Sequence, residues 1–233
     1  MKIKRYILEQ VLRGPAKTRE QFEDDWNSAS GENWDRCFDN NDTDLFLCRM
    51  NPPLSDNPRT NVIIYSHGNF QDVSDTEVKL MCRKISDKTN SYVYAYEYPG
   101  YVDTVNYNIE NAEANMVHTA RTACKRVLDM HGEENVDFYI SGFSLGAFMA
   151  IQMAIYSNII KREIRRLVLV SAFASCISTR APCFLSDGIF RTIDCFDNKR
   201  YLPKTTCDVT LVHGEDDRIV KAHNSKYLYW LIN

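Results

Sequence analysis

The chain has 233 residues, enough for one α/β domain with a large buried core and too few for two comfortable ones. Hydrophobic residues make up 44% and charged residues 25%, the ordinary balance of a soluble globular protein, and a net charge of −3 gives no electrostatic footing for nucleic acid or an anionic membrane. The eight cysteines are scattered without a C-x-x-C pair, which points away from a zinc site or a disulfide framework and toward reduced thiols in a cytoplasmic setting.

The opening MKIKRYILEQVLRGP carries basic residues but no sustained apolar run, and Lys2 stands where N-myristoylation requires glycine. No stretch approaches ~20 uncharged apolar residues, so neither a signal peptide nor a transmembrane helix is expected. Residues 14–43 are polar and irregular and read as exposed loop or turn. The domain division that follows is an irregular extension over 1–43 and one α/β domain over 44–233. DLFLCRM (44–50) is a strand, and NPPLSDNPRT (51–60), dense in turn formers, is a surface connection.

NVIIYS (61–66) is β-branched and continuous, as a strand buried on both faces should be, and SYVYAYEY (91–98), VDFYIS (136–141), RLVLVS (166–171) and DVTLVH (208–213) repeat that character. Helices are predicted over 74–89, 109–131 and 145–160. In the second, Met116, Ala120, Ala123, Val127 and Met130 recur at helical spacing and give a core-facing stripe. Strands alternating with helices in this way predict a mostly parallel sheet with helices on both faces. Residues 172–206 break the rhythm and read as a small cap-like excursion. KAHNSKYLYWLIN (221–233) reads as a helix that is apolar nearly all round.

Gly142-Phe143-Ser144-Leu145-Gly146 is a G-x-S-x-G. The pattern alone is weak, but it follows the strand VDFYIS and opens the helical run LGAFMAIQMAIY, which is the context a nucleophile elbow needs. Ser144 is therefore the candidate nucleophile. His67-Gly68-Asn69 follows NVIIYS, where an elbow-type hydrolase supplies one backbone N–H to its oxyanion hole. That donor is assigned to Asn69, with Phe70 as the alternative, and the second donor to Leu145. His67 is read as ordering the loop. His213-Gly214-Glu215-Asp216-Asp217 ends the last strand, where a carboxylate fits the chain order serine, acid, histidine. Spacing does not choose between Asp216 and Asp217.

YSHGN (65–69), YEYPGY (96–101), SGFSLG (141–146) and LVHGEDDRIV (211–220), in this order and spacing, resemble the α/β-hydrolase superfamily. Within it the chain is most similar to the depalmitoylating serine hydrolases of the α/β-hydrolase-domain group and their serine-aminopeptidase-like relatives. The resemblance spans residues 44–220. It implies an α/β-hydrolase fold, a serine nucleophile at Ser144, oxyanion donors at Asn69 and Leu145, and no cofactor or metal. Its pattern H-G-x-x-D-x-x-V selects Asp217 as the acid. The depalmitoylating members carry an N-terminal cysteine cluster that MKIKRYILEQ lacks, so membrane targeting does not follow.

In that family the catalytic histidine follows a further strand, about 25–35 residues past the acid. Only 16 residues follow Asp217 here, so the last strand, the histidine loop and the final helix are expected to be missing. Of the five histidines, His118 and His131 sit on a helix away from the strand ends, and His213 belongs to the acid's own turn. His223, six residues past Asp217, is the remaining candidate base. Two functions follow. One is a serine hydrolase of carboxylic esters or acyl thioesters, with an acylated protein as the substrate that the resemblance implies and Phe173, Phe184, Leu185, Ile189 and Phe190 available to line an acyl site. The other is a degenerate hydrolase-fold protein that binds an acyl ligand or a protein partner. For the apolar C-terminal segment and an open sheet edge two explanations fit: a partner or oligomer covers this end, or the sequence is a shortened version of a longer ancestor.

Overall fold

The structure is a computed structural model that describes residues 2–12, 17–28, 34–37, 45–53, 59–102, 109–132, 135–181, 190 and 192–233. Seven strands form one sheet in the order β1-β2-β4-β3-β5-β6-β7. They are β1 (Trp34–Arg36), β2 (Leu47–Met50), β3 (Thr60–Ser66), β4 (Ser91–Tyr96), β5 (Val136–Phe143), β6 (Arg166–Val170) and β7 (Asp208–Val212). β4, β3, β5, β6 and β7 run parallel, while β1 and β2 add an antiparallel edge. β7 is the opposite edge of this sheet.

The two-sided burial expected of the apolar runs is met by β3 and β4, whereas β5 and β6 alternate buried with more exposed positions and β7, at the edge, has no buried residue. Val62 and Ile64 on β3 face one core cluster, and Ile63 and Tyr65 face the other, the period-2 alternation of a central strand. On the first face lie α1 (Lys2–Val11), α4 (Ala112–His131), α5 (Gly146–Ile159), α6 (Asn198–Tyr201) and α7 (His223–Ile232). On the second lie α2 (Arg19–Ser28) and α3 (Thr76–Thr89). The α4 stripe is as predicted at Met116, Ala120, Ala123 and Val127, each fully buried. It ends there, because Met130 near the helix terminus is 46% exposed.

The segment read as irregular differs from that expectation. α2 and β1 lie within it, and Phe22, Trp26 and Trp34 are buried in the second cluster. The charged residues around them disguised a one-sided helix whose few aromatics carry its burial. The excursion after β6 is held to the body by Asn224, which accepts from the Ala174 N–H at 2.9 Å and the Ser178 hydroxyl at 2.7 Å. Phe173 is buried core and Phe190 is partly exposed, while Phe184, Leu185 and Ile189 lie outside the described residues.

From β3 the chain steps to β4 on one side and returns to β5 on the other, so the strand order reverses at β3. In open α/β sheets the crevice beyond the carboxyl ends at such a reversal is where ligands bind. The Ser66–Gly142 register places the H-G-N loop and the G-x-S-x-G turn side by side there.

Candidate active site

Ser144 has φ +53°, a left-handed conformation that a side chain adopts only when its surroundings force it. Two glycines supply the force. A Cβ on Gly142 would stand 2.3 Å from the Gly146 carbonyl oxygen, and one on Gly146 would stand 2.1 Å from that of Ser66. Any other residue would push α5 off β3 and open the turn. The Ser144 N–H donates to the Val170 carbonyl at 2.9 Å, and its carbonyl accepts from Ala147 at 3.0 Å. Leu145 is buried in a helical conformation at the N-cap of α5, where the backbone N–H groups and the helix dipole favour negative charge.

The loop after β3 is fixed residue by residue. The Gly68 N–H donates to Gln71 Oε1 at 3.0 Å and so is taken, which leaves the N–H groups of Asn69 and Phe70 as the loop's oxyanion candidates. Asn69 Oδ1 accepts from the Tyr101 hydroxyl at 2.5 Å. Phe70 is left-handed at φ +62° and 58% exposed. His67 is fully buried, with Nδ1 2.9 Å from the Gly68 carbonyl, its ring stacked on Tyr98, and Nε2 3.5 Å from Glu97. Burial lowers its pKa, but the hydrogen bond and charge of Glu97 outweigh that and leave it raised. Burial in turn raises the pKa of Glu97, which accepts from the Val73 and Tyr98 N–H groups. His67 is a tied-down loop residue.

The turn after β7 separates the two candidate carboxylates. Asp216 is exposed, whereas Asp217 Oδ1 accepts from the N–H groups of Ile219 at 2.9 Å and Val220 at 3.0 Å. Burial raises the Asp217 pKa, but those two N–H groups, the Ser171 hydroxyl and the charge of His213 outweigh it and hold the carboxyl below its usual range. His213 Nε2 lies 3.5 Å from Asp217 Oδ2 and 2.6 Å from the Val220 carbonyl, and a carbonyl only accepts, so Nε2 carries the proton. Its Nδ1 is 2.6 Å from the Ser225 hydroxyl. Both nitrogens are thereby engaged in the turn.

Phe143, Val170 and Val212 are register partners on β5, β6 and β7, so Ser144, Ser171 and His213 stand next in line at the sheet's carboxyl edge. Ser171 is also left-handed, at φ +49°, and its N–H donates to the Val212 carbonyl at 2.8 Å. His223 opens α7 and is exposed, with its ring 3.4 Å from the Asn224 amide nitrogen. Among the described residues no hydrogen bond or ion pair joins it to Ser144 or Asp217. His131 accepts or donates at 2.7 Å to the Tyr94 hydroxyl, and His118 is exposed on α4. Sequence reasoning missed Tyr98, Tyr101, Gln71 and Ser171 as parts of this neighbourhood. The two tyrosines were in view inside YEYPGY, without a contact to give them a role.

Among the described residues no group of three histidine, cysteine or acidic side chains could hold a metal ion, and no helix is long and apolar enough to cross a membrane.

A mostly parallel sheet wound in this order, with a serine strained into a strand-to-helix turn at its carboxyl edge, is the α/β-hydrolase fold. Residues 65–232 match the family model described as Serine hydrolase (FSH1), and the chain belongs to that family. A protein of Acanthamoeba polyphaga mimivirus named as an alpha/beta hydrolase is 27% identical over 83% of this chain and 68% of its own length. The alpha/beta hydrolase domain-containing protein aho-3 of Caenorhabditis elegans is 22% identical over 78% of this chain and 50% of its own length. Among solved structures, a lipase/esterase from Lactobacillus plantarum superposes with a TM-score of 0.61 at 10% identity, covering 85% of each chain. Esterase B from Lactobacillus rhamnosis gives 0.60 at 14% identity over 91% of this chain and 76% of its own. These structures share the fold.

Proposed function

We propose that this chain cleaves carboxylic esters or acyl thioesters, with Ser144 as the nucleophile. The observation that carries the reading is the left-handed Ser144 between two glycines that admit no Cβ, the strained strand-to-helix turn that a nucleophile elbow requires. Ser144 Oγ attacks the acyl carbon and the carbonyl oxygen becomes an oxyanion. The N–H groups of Asn69 and Leu145 receive that charge, the alcohol or thiol leaves with the proton, and water then cleaves the acyl-serine. Asp217, held ionised, orients the imidazole that takes the serine proton. His223 is the candidate for that imidazole in this chain. An acylated protein carrying a cysteine thioester is the substrate suggested by the motif resemblance. The described cysteines are all free, which supports a reducing, cytoplasmic setting.

One observation favours a second reading, a hydrolase-fold protein that binds an acyl ligand or partner without turning it over. The imidazole nearest Asp217 is His213, and both its nitrogens are engaged. In a serine protease of another fold, loss of the histidine lowers turnover by about 10⁶ and leaves ~10³–10⁴ over water. Tyr229 and Trp230, 60% and 70% exposed on the helix beside the β7 edge, support a covering partner at that end.

Labelling of the chain by a fluorophosphonate, beside Ser144→Ala, tests the first reading. Labelling that disappears in the variant establishes an activated serine, and His223→Ala then asks whether its imidazole is the base. A folded chain that stays unlabelled beside an active hydrolase control rejects the hydrolase and leaves the binding protein.

A further inference from the structure

YEYPGY is the one motif of the four that the hydrolase reading leaves without work. Tyr98, Pro99, Gly100 and Tyr101 form a tight turn: the Tyr101 N–H donates to the Tyr98 carbonyl at 3.2 Å, and Gly100 has φ +87°. Proline second and a left-handed glycine third is the signature of a type II turn, which sets the side chains of its two end residues at a fixed separation. Both of those residues are tyrosines, and both hydroxyls reach the same loop. Tyr98 donates to the His67 carbonyl at 2.7 Å, and Tyr101 donates to Asn69 Oδ1 at 2.5 Å. Tyr98 and Tyr101 are 2% and 3% exposed, so these hydroxyls make their bonds out of competition with water. The rings pack edge to face, 5.4 Å between centroids, and His67 stacks on the first.

We infer that the Tyr98-Pro99-Gly100-Tyr101 turn is a clamp for the H-G-N loop, with Tyr101 the positioning residue that sets the Asn69 backbone for the oxyanion. The inference rests on the hydrolase reading for its purpose, though not for its geometry. The Asn69 side chain is itself anchored, so rotation about the Asn69 backbone drags Oδ1 away from a buried phenol. With the Gly68 N–H already committed to Gln71, Asn69 and Phe70 remain, and of the two it is Asn69 whose side chain the clamp holds. An oxyanion donor is worth ~10²–10³ in turnover, and displacing a catalytic group by 1 Å can forfeit 10².

Tyr101→Phe removes one oxygen and keeps the ring, so the fold should survive. Two readouts are taken on the full chain. Hydrogen–deuterium exchange by mass spectrometry should rise over residues 67–71 and stay unchanged over 61–66. Fluorophosphonate labelling should slow ~10–100-fold, while reversible binding of an acyl ligand, read by competition, stays within about 2-fold. Unchanged exchange over 67–71 overturns the clamp whatever the labelling does. Raised exchange with labelling at the wild-type rate overturns the positioning role. If the wild-type chain is not labelled, the hydrolase reading falls, and exchange alone decides the clamp.

Discussion

Gly146 lies so close to Ser66 that a Cβ on it would sit 2.1 Å from the Ser66 carbonyl oxygen, inside any real contact distance. Helix α5 therefore touches β3 backbone to backbone, and the serine turn and the H-G-N loop are positioned against each other by that contact. Gly146→Ala should be destabilised by about 3 kcal/mol or more, since neither partner is a side chain that can swing aside. Gly214→Ala, where an added Cβ meets nothing within 4 Å, should change stability by less than about 0.5 kcal/mol. Urea midpoints of the two variants make the comparison.

The helix stripe offers a similar contrast. Met116→Ala should cost about 2–5 kcal/mol because Met116 is fully buried between α4 and the sheet, while Met130→Ala should be nearly silent. Denaturation curves with equal slopes and separated midpoints would bear this out.

Asp217 makes an acid-side prediction. Its folded pKa is below the ordinary value of 3.8, so the unfolded chain binds its proton first as pH falls. The stability it contributes is complete above about pH 5 and drains away as pH drops through the folded pKa. Asp217→Asn should therefore flatten the fall of melting temperature in that window and leave the neutral plateau nearly level. An acid limb identical to wild type would show that the turn does not hold the charge.

The Glu97–His67 pair predicts the opposite slope. His67 has a folded pKa raised above 6.5, so its stabilisation is complete below that value and is lost as pH rises through the folded one, and the raised Glu97 works in the same sense. Glu97→Gln should cost roughly 3–5 kcal/mol, the penalty for breaking a buried pair, and should remove most of the fall in stability between pH 6 and 9. Chemical denaturation at the two pH values reads both effects.

How much of this was legible in the sequence depended on the range of the signal. β3 announces itself because a strand buried on both faces must be apolar throughout, and Ser144 because a strained elbow needs glycine on each side. α2 and β1 stayed hidden, since Phe22, Trp26 and Trp34 are few among charged neighbours and their partners, such as Phe46 and Met50, are distant in sequence. Asp217 was separable from Asp216 by family pattern alone. The physical reason, two N–H groups converging on one carboxylate, exists only in the folded turn. Tyr101 was visible as a letter and not as a contact, because its partner Asn69 lies 32 residues earlier, on a loop whose path no local rule specifies.

The hydrogen bonds from Ser144 to Val170 and from Ser171 to Val212 carry a mechanical meaning. The strained serine hangs from β6, and the last residue of β6's ladder hangs from β7, the outermost strand. The reactive turn is thus tied, through two backbone hydrogen bonds, to a strand two places away in the sheet. A change that disturbs the pairing of β7 would therefore be felt at Ser144 through Ser171 and Val170.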